Sequence, residues 1–119
     1  MPYAIPSYLQ DWFAHQGWQI RPHQRAMIEA FQARRDTLLM APTGGGKTLS
    51  GFLGSLIDIH DNGAQGLHTL YISPLKALTN DIERNLLAPI AAMGLGVTVE
   101  TRTGDTPSHK RKRQRAKPP

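Results

Sequence analysis

Residues 41–48 read APTGGGKT, and it is here that the chain first carries recognisable chemistry. Three consecutive glycines leave a backbone with no Cβ, so its amides can wrap closely around an anion and take φ values closed to other residues. A lysine directly after such a loop reaches the β and γ oxygens of a nucleotide, and the next hydroxyl completes a Mg²⁺ shell. The candidates are Thr43, Gly44, Gly45, Gly46, Lys47 and Thr48, with Lys47 and Thr48 as the catalytic pair and Thr48 as the Mg²⁺ ligand. The pattern's first position, usually glycine, is Ala41, which is tolerated if its φ is negative.

A phosphate loop works between a strand and a helix, because the helix N-terminus presents unpaired N–H groups and a partial positive charge. Both flanks are predicted. The apolar run over Thr37 to Ala41 suits a strand buried on both faces. After the loop, Leu49, Phe52, Leu53, Leu56 and Ile57 recur at helical spacing until Asn62 and Gly63.

The same reading gives the other elements. SYLQDWFAHQG predicts a helix with Tyr8, Leu9, Trp12 and Phe13 on one stripe, Ser7 as N-cap and Gly17 as terminator. A second helix starts at Pro22 and sets Met27, Ala30 and Phe31 on one side. Leu67 to Ser73 reads as a strand, followed by a helix opened by Pro74 or Leu75. Pro89 is expected to break that helix and begin another ending at Gly94 or Gly96. GVTVET reads as a third strand, and a final basic helix is expected with Thr106 as cap and Pro107 at its first position.

Strands alternating with helices predict an α/β fold, a parallel sheet flanked by helices. The pattern runs out after about three strands, so the chain reads as cut short, with exposed sheet edges and marginal stability.

Bulk composition narrows the function classes. The chain has no cysteine, which excludes disulfides and thiolate metal sites and suits a reducing compartment, the cytosol by default. Its N-terminus lacks a basic stretch followed by an apolar run, and no segment is apolar enough for a membrane span, so no membrane partner is expected. The net charge of +5 is local: Lys110, Arg111, Lys112, Arg113, Arg115 and Lys117 hold six of the fourteen basic residues. Positions 1 to 109 carry eight basic against nine acidic residues, so the body is nearly neutral. His15, His23, His60, His68 and His109 lack metal-ligand spacing and are given no role. Trp12, Phe13 and Trp18 could stack on a base, although packing is the commoner use.

APTGGGKT resembles motif I (Walker A) of superfamily 2 helicases, in which alanine often opens the loop. RPHQ at positions 21–24 resembles their glutamine motif, in which Gln24 would meet adenine; a Gln amide offers one donor and one acceptor, matching N7 and N6. YISPLKALTNDIERNL resembles motif Ia of the DEAD/DEAH-box group, its SPLKAL wording being like the large helicase-related type, and RTGDTP resembles the segment near motif Ib. The resemblance covers nearly the whole chain and is strongest to bacterial DExH-box helicases associated with DNA ligase and the DNA damage response.

The resemblance implies a partial RecA-like phosphate-loop NTPase lobe over 1–119, with an aromatic N-terminal helix (1–20), an ATP-binding core (21–107) and a basic helix or tail (108–119). It implies ATP and Mg²⁺ as cofactors, and Ser73, Pro74, Lys76, Thr103, Gly104 and Thr106 as contacts to a nucleic-acid backbone, most readily single-stranded DNA. Backbone amides, hydroxyls and one lysine hold phosphates without reading bases. Asp105, a poor phosphate contact, is expected to fix the loop. The carboxylate pair of the DExH motif and a second RecA-like lobe are missing; no Asp-Glu or Glu-Asp pair occurs in the chain. ATP binding without turnover in a bacterial cytosol is therefore expected. Two other classes stay open: a different phosphate-loop enzyme of small-kinase type, and a non-catalytic nucleic-acid-binding module driven by the basic tail.

Overall fold

A computed structural model describes residues 4–40, 47–73 and 75–119 of the chain. Its elements are α1 (Ser7–His15), α2 (Pro22–Gln32), α3 (Lys47–Asn62), a 3-10 turn (Lys76–Leu78), α4 (Thr79–Ala92) and α5 (Ser108–Ala116). They fall into two compact units, Met1–Asn62 and Gly63–Pro119.

In the first unit, α1 buries Leu9, Trp12 and Phe13, one stripe at i, i+3 and i+4. Trp12, Phe13 and Trp18 meet edge to face, with ring centroids 5.4 to 6.1 Å apart. Ser7 does not cap α1: Pro6 occupies the N-cap without a side-chain bond. Gly17 does end it, at φ +75°, where the Trp18 N–H reaches back to the Phe13 carbonyl at 2.8 Å.

Pro22 opens α2 as expected, but the buried side is Gln24, Ile28 and Ala30, and Phe31 is partly exposed. α2 packs against α3, which buries its run from Phe52 to Ile57 together with Ser50. The approach is tight where Gly54 faces Phe31: a Cβ built on Gly54 would lie 2.4 Å from Phe31 Cγ. At the far end of α3, Tyr8 stacks on His60 with centroids 3.7 Å apart, and its hydroxyl donates to Asp61 Oδ1 at 3.2 Å.

In the second unit, α4 is continuous through Pro89, contrary to the expected break. Leu86, Pro89, Ile90 and Met93 form one buried helical stripe, so the proline ring is itself part of the core. Losing one i→i−4 bond is offset there by burial. α5 buries no residue, and its N-cap is Pro107. Thr106 is engaged elsewhere, since its hydroxyl accepts the Thr103 N–H at 2.8 Å.

The expected α/β architecture is not observed. Among the described residues there are five α-helices and no β-strand, so the parallel sheet is overturned. Two of the three segments read as strands lie open, with Leu38 82 % exposed, Met40 85 %, Leu70 71 % and Ile72 81 %, and the third, 96–101, is half-buried at alternate positions without pairing. An apolar run becomes a strand only when a neighbour takes its N–H and C=O groups and something covers its faces. Neither condition is met around Leu38 and Met40 or around Leu70 and Ile72, and in the third segment the Thr101 carbonyl is taken by the Gln114 side chain rather than by a strand. Ala41, the end of the first such run, lies outside them.

Candidate functional site

The predicted residues fall into two groups, one in each unit. In the first unit, Lys47 and Thr48 occupy the first turn of the 16-residue helix α3 and are exposed. That turn is where unpaired amides and the positive end of the dipole favour an anion. Thr43, Gly44, Gly45 and Gly46, and Ala41 with them, lie outside the described residues.

Gln24 is buried, 4 % exposed, and its Oε1 accepts the Arg21 N–H at 2.9 Å. This is the glutamine half of a capping box; arginine has no acceptor with which to supply the other half. The side chain expected to face adenine thus also fastens the start of α2. Of the three aromatics weighed for stacking, Trp12 and Phe13 are buried, and Trp18 is 50 % exposed.

The second unit brings together Lys76, Thr103 and Thr106. With Thr79, Asn80, Thr101 and Asp105 they line an open polar depression of about 250 Å³. Four threonine hydroxyls, an amide, an ammonium and a carboxylate converge there. Ser73 and Gly104 are not among the lining residues; Ser73 Oγ accepts the Leu75 N–H at 3.3 Å, and Pro74 lies outside the described residues.

The turn from Thr103 to Thr106 closes itself. The Thr103 N–H donates to Thr106 Oγ1, the Thr106 N–H to the Thr103 carbonyl at 3.2 Å, and the Asp105 N–H to Thr103 Oγ1 at 3.1 Å. The Asp105 carboxylate takes no part; it accepts from Lys76 Nζ at 2.7 Å. Asp105 thus joins the turn through its N–H, and its carboxylate links the turn to Lys76.

α5 is docked beside this turn by polar contacts. Arg111 Nη2 donates to the Thr103 carbonyl at 2.7 Å, and Gln114 Nε2 to the Thr101 carbonyl at 3.0 Å. Glu100 receives Arg113 and, at 3.1 Å, Gln114. Those hydrogen bonds hold the Glu100 carboxyl below the usual carboxylate value, Arg113 contributing most. A depressed folded pKa gives stability that is complete above the unfolded value, about 4.5, and is lost as pH falls through the lower folded one. Acidification should therefore loosen α5, as amide exchange in 108–116 will show. Glu100→Gln should loosen it at neutral pH and speed tryptic cleavage after Lys112 and Arg113.

The chain matches the DEAD/DEAH box helicase family over residues 21–119. It belongs to that family. This DEAD/DEAH box chain is 37 % identical to the ATP-dependent helicase Lhr-Core of Saccharolobus solfataricus over 94 % of its own length, which is 14 % of that protein. It is 38 % identical to the Lhr helicase/probable uracil glycosylase of Mycolicibacterium smegmatis, over 92 % of this chain and 8 % of the relative. To the Lhr helicase/uracil glycosylase of Escherichia coli it is 30 % identical, over 100 % of this chain and 9 % of the relative. The DEAD/DEAH box chain thus spans about one seventh or less of the length of these Lhr-type relatives. No solved structure matches it.

Thr79, Asn80 and Thr101 were missed in reading the sequence, although a signal was there. Thr79 and Asn80 follow Lys76 at i+3 and i+4, where one helical face would gather them. Thr101 and Thr103 alternate, the spacing that puts two side chains on one side of an extended segment.

Proposed function

We propose that this chain is the ATP-binding N-terminal portion of an ATP-dependent helicase or translocase acting on DNA in repair, with a ligase-associated role in a bacterial cytosol. The carrying observation is that Lys47 and Thr48 open α3 directly behind the glycine triplet. In this reading the amides of Thr43 to Gly46 cradle the phosphates, Lys47 neutralises the β and γ oxygens, and Thr48 holds Mg²⁺. Gln24 offers its amide N–H₂ to an adenine acceptor while its carbonyl caps α2.

A single strand lies in the depression of the second unit, its phosphates met by Lys76 and by the hydroxyls of Thr103 and Thr106. Ser73, Pro74 and Gly104 adjoin these residues in sequence and are proposed to add contacts to the same backbone. Such contacts bind backbone rather than sequence and weaken with salt.

The chain binds ATP but does not turn it over, because the carboxylates that complete the Mg²⁺ site and position water are not in it, nor are arginines from a second lobe. Equilibrium dialysis should show Mg²⁺-dependent ATP binding that Lys47→Ala weakens by about tenfold or more. Phosphate release should be no faster than in Lys47→Ala, with or without single-stranded DNA. Absence of ATP binding sinks the nucleotide reading, and a Lys47-dependent, DNA-stimulated turnover sinks the claim of inactivity.

A further inference from the structure

Among the described residues Lys76 is the one ammonium lining the polar depression, and it is not free to meet an anion: its Nζ lies 2.7 Å from Asp105 Oδ2. The two residues are 29 positions apart, so the pairing is made by the fold and not by neighbourhood along the chain. The carboxylate has no other task in its turn, which is closed by the Thr103 and Thr106 hydroxyls and by backbone bonds. Lys76, with Arg111 adding a weaker attraction, also keeps that carboxyl below its usual titration range, so it is ionised at neutral pH. Both partners are largely exposed, with side chains 60 % and 77 % accessible. An ion pair in that setting is weak and exchangeable.

We propose that Asp105 is an internal competitor of nucleic-acid phosphate for Lys76, holding the ammonium when the depression is empty and surrendering it when a backbone phosphate arrives. This rests on the depression being the strand-binding track. Its consequence is an affinity set below what the site's donors could supply, and a bound strand that sits beside a released negative charge. A track with such a built-in rival holds the phosphate at Lys76 loosely.

The alternative role for Asp105 is to position Lys76 for phosphate, and the two roles differ in sign. A competitor, once neutralised, tightens binding; a positioning residue, once removed, loosens it. With the full 119-residue chain and a fluorescently labelled oligothymidine, Asp105→Asn is expected to bind about two- to fivefold tighter at low salt, the range for an exposed pair. Its plot of log affinity against log salt should keep the wild-type slope, since Lys76 meets the same phosphate in both complexes, whereas Lys76→Ala should flatten the slope by about 0.7, the increment for one neutralised phosphate on a single strand. Lys76→Ala should weaken binding, and in that background Asp105→Asn should lose most of its gain, which is the coupling a double-mutant cycle reads. Asp105→Ala repeats the test without an amide that could still accept from Lys76.

If the wild type binds, Lys76→Ala weakens it, and both Asp105 variants leave affinity unchanged or lower, the competitor is overturned while the track stands. If Lys76→Ala binds as well as the wild type, or no form binds, the track fails and the proposal with it.

Discussion

Gly54→Ala should destabilise the first unit by about 1–2 kcal/mol, whereas Gly51→Ala, three positions earlier in the same helix, should stabilise it by up to about 1 kcal/mol. Both substitutions bring the same gain in helix propensity, because a mid-helix glycine carries excess backbone entropy. They differ in what the new methyl meets. At Gly51 there is nothing within 4 Å. At Gly54 the methyl would sit 2.4 Å from Phe31 Cγ and 2.6 Å from Phe31 Cβ. The ring of Phe31 can rotate, being 39 % exposed, but its Cβ moves only with the backbone of α2. Relief therefore requires α2 and α3 to separate, at an overpacking cost of about 1–3 kcal/mol that outweighs the propensity gain. Urea denaturation followed by the fluorescence of Trp12 and Trp18, both in the first unit, measures this directly. Equal signs for the two variants would mean that the helices do not approach as described.

Lys47→Ala is the second substitution with a large expected effect, here on ligand affinity: about ten- to a hundredfold weaker ATP binding. A charge-assisted hydrogen bond to phosphate contributes about 1.5–3 kcal/mol, and no side chain nearby in sequence replaces it, since Thr48 is neutral. Lys47 is exposed and has no ion pair among the described residues, so its removal should leave the denaturation midpoint unchanged. Lys47→Arg should recover little, because a planar fork does not fit where a compact point charge is required. Thr48→Ala should lower affinity only when Mg²⁺ is present. Calorimetric titration with and without the metal separates the two roles, and an unchanged affinity in Lys47→Ala would remove the nucleotide from α3 altogether.

Helices were the legible part of this fold because their signal is local. Leu49 to Ile57 carries its period within one element, and α3 ends at Asn62 as the sequence indicates. Caps were less legible. Ser7 and Thr106 have the right chemistry, but each lies one residue from a proline whose fixed φ starts the helix a position later or earlier than a hydroxyl would choose. Pro89 was misread for the opposite reason, since its helix-breaking tendency is local while the burial that overrides it is tertiary.

The strand readings failed because an apolar, extended run states a preference and leaves the partner unnamed. Around Leu70 and Ile72, and around Leu38 and Met40, the preference is present and the covering is not. The polar depression was half legible: Lys76, Thr103 and Thr106 were named from the resemblance, while Thr79, Asn80 and Thr101 needed the folded turn to place them. The partnership of Lys76 with Asp105 had no signature at all in the sequence, since nothing local links positions so far apart.

If Gln24 is the adenine contact proposed above, its carbonyl, bound to the Arg21 N–H, ties two equilibria together. A ligand that took that carbonyl as its acceptor would unfasten the first turn of α2, and a ligand that left it alone would not. Linkage makes this reciprocal: whatever free energy the cap contributes to the helix is subtracted from the affinity of any base that displaces it. Purines could then be sorted by how much helix each one undoes, and the fraying of α2 would become a thermometer for what occupies the site.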